Sequence, residues 1–278
     1  MENLSKKILL NSARNCLRYL VKVFDIKEIN IPYYICPVIW QELRRERVKI
    51  NFYHINKDFL PVKNFQEGEF VLYPNYFGIC DRQNALLSAK YKNLISDNAH
   101  AFFAEPRGFG AFYSPRKFLK VNDGGILFCK EHEELILERD KDRDTDVSKY
   151  ENFVKNELSL DNQEIKKMSL RTEKYLNDGF FKETKNQRLK FFEEIGGFLD
   201  KFNKIDINLC ENDVPMVYPF LAEDIDFADK IARELIGRGI RVVEFGAKTD
   251  RIFSDFSFKQ KILPIPLQRE VISCLTKL

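Results

Sequence analysis

Short apolar runs of strand character alternate with helical patterns through the first half of the chain, and this alternation narrows the fold more than any other feature. Ser12 to Phe24 places Cys16, Leu17, Leu20 and Val23 at helical spacing. Glu28 to Ile31 reads as a strand stopped by Pro32, Val38 to Arg47 as a helix, and Val48 to Ile55 as a strand. Glu69 to Tyr73 is a strand stopped by Pro74, and Arg82 to Tyr91 is a helix. Asn93 to Ser96, Phe109 to Tyr113 and Gly125 to Cys129 are three further strands. Strands and helices taken in turn at this pace predict an α/β protein, with a mostly parallel sheet covered by helices on both faces.

Beyond Cys129 the pattern changes. Residues 131–149 carry dense charge of both signs and predict a solvated linker. Residues 150–202 read as two or three amphipathic helices, one marked by Met168, Tyr175 and Leu176, another by Leu189, Phe192, Ile195 and Leu199. From Val214 a strand, a helix over Asp226 to Arg238, a strand from Gly239 to Phe245, the extended run Lys261 to Leu267 and a terminal helix predict a small α+β domain. The expected division is a large domain, 1–205, with a helical extension over about 150–205, and a small C-terminal domain, 206–278.

Composition excludes several functions. With 45 basic and 42 acidic residues the net charge is +3, too small to argue for nucleic acid. The six cysteines show no CxxC and no metal-ligand spacing, so zinc is not expected. The N-terminal residues lack the pattern of a signal peptide, and no apolar stretch approaches the roughly 18 residues that span a bilayer. The expectation is a cytoplasmic protein with reduced thiols.

The chemistry concentrates between residues 93 and 125. The strand Asn93 to Ser96 runs into Asp97, and His100, one of three histidines, follows. Lys117 precedes Phe118 and Leu119, and Asp123-Gly124-Gly125 closes the segment. A carboxylate at a strand end points toward the crevice where α/β proteins bind ligands. Read alone, Asp97 is equally a helix cap or turn residue, and His100 equally a packing histidine. Taken in order, the residues suit a pyridoxal phosphate (PLP) site, in which a carboxylate pairs with the pyridinium nitrogen and a lysine forms a Schiff base. Asn11-Ser12-Ala13-Arg14 opens the first helix, where an anion or a plain N-cap would sit. Pro32 to Cys36 and Asn75 to Gly78 lie at two other strand ends, where ligand contact and simple turns both fit.

Together these motifs resemble the DegT/StrS-type, fold type I, PLP-dependent sugar aminotransferases. Ser96-Asp97-Asn98-Ala99-His100 is similar to that family's cofactor motif. Lys117, followed by Asp123-Gly124-Gly125, is similar to its lysine motif. Pro32-Tyr33-Tyr34-Ile35-Cys36, Tyr76-Phe77-Gly78 and Ile262 to Leu267 resemble its strand-end, aromatic-glycine and closing motifs. The resemblance implies a fold type I large domain and a small C-terminal domain. It implies Asp97 on the pyridine nitrogen, His100 near the ring, Lys117 as the Schiff-base lysine and proton shuttle, and Ser12, Ala13, Arg14 and Ser114 near the phosphate. Cys36 stands where the family places an aromatic residue, Ala13 where it places glycine, and Phe112 where it places a serine. The implied activity is amination of a keto sugar, nucleotide-linked, with glutamate as donor, by a homodimer in surface-polysaccharide synthesis. Two alternatives stand beside it: a PLP-dependent sugar dehydratase relative, a branch in which a histidine replaces the lysine, so that Lys117 argues against it unless Lys120 is the lysine that matches the motif, and a catalytically retired PLP fold serving as a binding or regulatory module.

Overall fold

The computed structural model describes residues 4–147, 150–179, 181–242 and 262–277. The large sheet contains β1 (Lys6–Leu10), β2 (Glu28–Pro32), β3 (Lys49–Tyr53), β4 (Val71–Pro74), β5 (Leu94–Asn98), β6 (Gly110–Tyr113) and β7 (Gly125–Cys129). Their order across the sheet is β1-β7-β6-β5-β4-β2-β3. The pairings β2–β3, β2–β4, β4–β5 and β5–β6 are parallel, and β7 runs antiparallel to both of its neighbours. The sheet is thus mostly parallel, as expected.

Every residue of β4 and β5 is buried. That is the mark of strands covered on both faces. The alternation of side chains along each strand sorts them between the two faces. Leu72, Ile95, Phe112 and Leu127 pack with Leu17 and Leu20 of α1 (Ala13–Val23) and Ile39 and Leu43 of α2 (Pro37–Arg45). Val71, Tyr73 and Leu94 point the other way, into a core shared with Leu87 of α3 (Asp81–Lys90) and with the C-terminal elements. Leu17 and Leu20 are fully buried, which stabilises the α1–sheet contact by about 2 kcal/mol each.

The segment after β7 crosses residues 131–147 without a regular element. It continues through α4 (Tyr150–Ser159), α5 (Leu170–Asn177) and α6 (Lys182–Leu199). Phe192, Ile195 and Leu199 of α6 pack against Tyr218 and Phe220 of β8 (Val217–Phe220). β8 pairs antiparallel with β9 (Leu263–Pro266) in a separate two-stranded sheet, accompanied by α7 (Ile225–Gly237) and α8 (Arg269–Leu275). Of the strand expected from Gly239 to Phe245, residues 239–242 carry no strand, and residues 243–245 lie outside the described ones. Among the described residues no helix is long and apolar enough to cross a membrane.

One element was not read from the sequence. β1 is an edge strand whose Leu10 is fully buried while Lys7 is exposed, and it pairs along its length with β7, from Lys6↔Cys129 to Leu10↔Gly125.

Candidate active site

The parallel strands β4, β5 and β6 end together, and their register puts Asp97 between Pro74 and Phe112. A cavity of about 120 Å³ opens at these ends. Its wall brings together Ala13 and Arg14 at the start of α1, Cys36 before α2, Asn75 after β4, Asp97, His100, Ser114, Arg116 and Lys117. Of the residues singled out from the sequence, Ala13, Arg14, Cys36, Asp97, His100, Ser114 and Lys117 all line it.

Ser12 is the exception. It is buried as the N-cap of α1, where its Oγ accepts from the Asn15 N–H at 3.2 Å. Tyr33 and Tyr34 also stand away from the cavity wall: Tyr33 stacks on Phe52, and Tyr34 on Tyr76. Lys120, the competing lysine, is exposed and is not part of the wall.

Asp97 is held by its own turn. The Ala99 N–H donates to its Oδ1 at 2.9 Å, and the Asn75 N–H donates to its backbone carbonyl at 2.9 Å. Burial raises its pKa from 3.8 to about 6, against the opposing pull of the Ala99 N–H and the nearby Lys117. A carboxylate in that condition gains more than most from a cationic partner.

His100 follows in the same turn, its ring 6.2 Å from that of Phe77. Burial first, and then the charge of Lys117, hold its pKa well below the usual histidine value, so the ring is neutral. The backbone beneath it is fixed by Gly78, which sits at φ +76 directly against the His100 carbonyl. A side chain there would collide, so the turn after β4 needs glycine at this position.

Lys117 ends a single helical turn, Pro115–Lys117. Phe118, Leu119 and Val121 anchor that turn in a small apolar cluster with Phe102, Phe103 and Phe181. Arg188 of α6 donates to the Lys117 carbonyl at 3.2 Å and stacks on Phe118 at 4.5 Å. Lys117 is exposed by surface, lines the cavity, and is desolvated by the protein round its ammonium. Burial lowers its pKa, opposed by Cys36 and Asp97 and reinforced by Arg116. The neutral amine is therefore more available than in a surface lysine.

The glycine pair explains how the start of α1 reaches this wall. A Cβ on Gly125 would fall 2.4 Å from the Ser12 carbonyl group. The Gly124 N–H donates to the Asn11 carbonyl at 2.9 Å. Asp123 beside them is buried and accepts from the Ser169 N–H at 2.9 Å, the Ser169 hydroxyl at 2.8 Å and the Thr172 hydroxyl. Its role is to fasten α5 to this turn.

Two polar wall residues had no role in the sequence reading: Arg116 and Glu157 of α4. Asn75, read only within a strand end where ligand contact and a plain turn both fit, is on the wall. Glu157 reaches the cavity because the charged segment 131–147 carries the chain back to it, which no local pattern reveals.

The unsatisfied groups of the wall indicate what it can hold. Among the described residues, Ser114 Oγ and Asn75 Nδ2 are buried with no hydrogen-bond partner, and so is Arg116 Nε. Buried polar groups without partners are costly unless a ligand satisfies them. The donor set, the N-terminal end of α1, a buried carboxylate and a lysine whose pKa burial lowers fit an anionic ring compound of the pyridoxal phosphate type.

No protein-family model matches the chain, and no curated protein matches its sequence. Solved structures share its fold. Spr1654 from Streptococcus pneumoniae, described as a sugar aminotransferase and solved in its PMP form, superposes with a TM-score of 0.68 at 14% identity, over 98% of this chain and 84% of that one. A DegT/DnrJ/EryC1/StrS aminotransferase from Brucella abortus gives 0.62 at 12% identity, over 98% and 86%. Helicobacter pylori PseC, an aminotransferase involved in the biosynthesis of pseudoaminic acid, gives 0.59 at 15% identity, over 98% and 86%. The resemblance read from the motifs and the likeness in structure thus meet on one fold, the fold type I aminotransferase-like arrangement.

Proposed function

We propose that this chain is a PLP-dependent aminotransferase acting on a keto sugar. The observation that carries the reading is the meeting of Asp97, His100 and Lys117 on one cavity wall with the start of α1. The structural relatives, one named as a sugar aminotransferase and another as an aminotransferase involved in the biosynthesis of pseudoaminic acid, support it.

When bound, pyridoxal phosphate supplies an aldehyde that takes up an amino group and a ring that accepts electrons as a neighbouring carbon loses its proton. Asp97 would pair with the ring nitrogen, and a protonated nitrogen there would favour its ionised form. His100, neutral and buried, orients the ring. Lys117 would be the residue that bonds the aldehyde, and its amine would be the base that moves the proton. Ala13, Arg14 and Ser114 would hold the phosphate, with Ser12 acting through the helix it caps. Val38, Ile39 and Phe112 line the cavity with apolar surface that excludes water, and Cys36 lies beside them.

The donor in this reading is glutamate, which leaves as the 2-oxo acid while its amino group passes to the ketone carbon. The acceptor is a nucleotide-linked keto sugar, and the product serves surface-polysaccharide synthesis. We place the enzyme in the cytoplasm as a homodimer. Residues 1–205 form the cofactor-binding unit and 206–278 the smaller one, with the helices of 150–205 bridging them. The separate β8–β9 sheet supports that division. The position of Lys117 on the wall, with Lys120 outside it, favours this reading over a dehydratase relative. Retention of the buried Asp97, costly without a ligand, disfavours a retired binding module.

The test is a single-turnover assay. Protein loaded with PLP and mixed with glutamate should release one equivalent of 2-oxoglutarate per site, and a nucleotide-linked keto sugar should convert this into continuous turnover. Retained PLP with no amino transfer from any donor would leave the binding-module alternative in front.

A further inference from the structure

Arg14 and Arg116 meet at the cavity wall from different elements, the start of α1 and the turn after β6. Both side chains are largely buried, with 10% and 11% of their surface exposed. Two buried cations side by side need a countercharge. Glu157 of α4 supplies it: its carboxylate pairs with Arg116 Nη1 and lies 3.5 Å from Arg14 Nη2.

That carboxylate does not satisfy the wall. Ser114, 2% exposed, has an unpartnered Oγ, and Arg116 Nε also lacks an acceptor among the described residues. A carboxylate offers two oxygens in a plane. A phosphate monoester offers three terminal oxygens and a charge of about −1.5 to −2. The donors gathered here, two guanidinium groups, a buried hydroxyl and the N-terminal end of α1, exceed what Glu157 can use and suit the larger anion.

We propose that Glu157 is a resident anion in the phosphate seat, and that a phosphate group binds by displacing its carboxylate from Arg14 and Arg116. The proposal rests on the cofactor reading above. Glu157 has a short way out, since its side chain is already 31% exposed, and its neighbour Leu158 faces solvent. Arg14 also keeps a second partner, Asp161 Oδ1 at 3.2 Å, that does not have to move. In this arrangement the cofactor-free protein keeps its arginines paired, and the seat opens only to a ligand with enough charge to win the competition. The competing carboxylate sets the affinity for the phosphorylated ligand without touching the ring.

The test is equilibrium binding of inorganic phosphate, pyridoxal phosphate and pyridoxal to the full chain, as wild type, Glu157→Gln and Glu157→Ala. Glutamine keeps the shape and removes the charge; alanine removes the whole group. Both variants should bind phosphate and pyridoxal phosphate more tightly, by about tenfold, and pyridoxal no differently. Thermal unfolding of each variant confirms that the folded state is being compared. Unchanged or weaker phosphate binding by both folded variants overturns the proposal. A gain for phosphate in variants that bind no pyridoxal phosphate supports displacement and sinks the cofactor assignment. Normal attachment of pyridoxal phosphate with no gain for either anion keeps the cofactor and overturns displacement.

Discussion

Gly78 lies so close to His100 that a Cβ at position 78 would stand 2.4 Å from the His100 carbonyl oxygen and 2.7 Å from that of Val214. This one contact locks the turn after β4 to the turn after β5 and to the segment leading into β8. The histidine on the cavity wall is therefore placed by a glycine on a different strand end. Gly78→Ala combines that collision with a positive φ and should destabilise the protein by about 2–3 kcal/mol. Gly197, inside α6, is the control, because a Cβ there would meet nothing within 4 Å. Gly197→Ala should stabilise by about 1 kcal/mol. Urea unfolding of the two variants checks both signs.

Asp97 makes the cofactor-free site sensitive to pH. Its folded pKa of about 6 lies above the 3.8 of a free aspartate, because burial favours the protonated form. The folded state therefore binds the extra proton more readily than the unfolded chain. This contribution to stability is fully present below about pH 4 and is lost as pH rises through about 6. Between those limits it amounts to about 3 kcal/mol. Asp97→Asn has no such titration, so the cofactor-free variant should gain that much on wild type between about pH 4 and about pH 8. The same substitution should weaken pyridoxal phosphate binding. Denaturation at the two pH values, beside a binding titration, reads the opposed effects; equal pH dependence in both proteins would contradict the burial argument.

How far the sequence could be read follows from where each signal resides. Asp97 was legible because a buried apolar strand ends abruptly in Ser96-Asp97-Asn98, and polar residues at a parallel strand end face the ligand crevice. Lys117 was legible from its apolar neighbours, which anchor its turn. β1 was not: Lys6-Lys7-Ile8-Leu9-Leu10 alternates poorly, and only its pairing with β7 makes it a strand. Glu157 was not, because its place on the wall depends on the return of the chain through a segment with no regular element. Ser12 shows a limit of another kind, since a cap residue and a phosphate ligand look alike in sequence, and here the hydroxyl caps the helix.

Asp123 fastens the glycine pair to α5 through Ser169 and Thr172. Its substitution leaves several buried donors without an acceptor. Asp123→Ala should cost about 3 kcal/mol. The loss should appear locally as faster amide exchange in α5 while β4 and β5 stay protected. An equal rise in exchange across the sheet would show that the link to α5 is not its main role.

The central claim is that the lysine on the cavity wall is the one that engages the cofactor aldehyde. Incubation with pyridoxal phosphate, reduction with borohydride and mass mapping of the peptides tests it directly. One reduced pyridoxyl phosphate group is expected, located on Lys117, and none in Lys117→Ala. Label on Lys120 or on scattered surface lysines, with Lys117 unmodified, would contradict it.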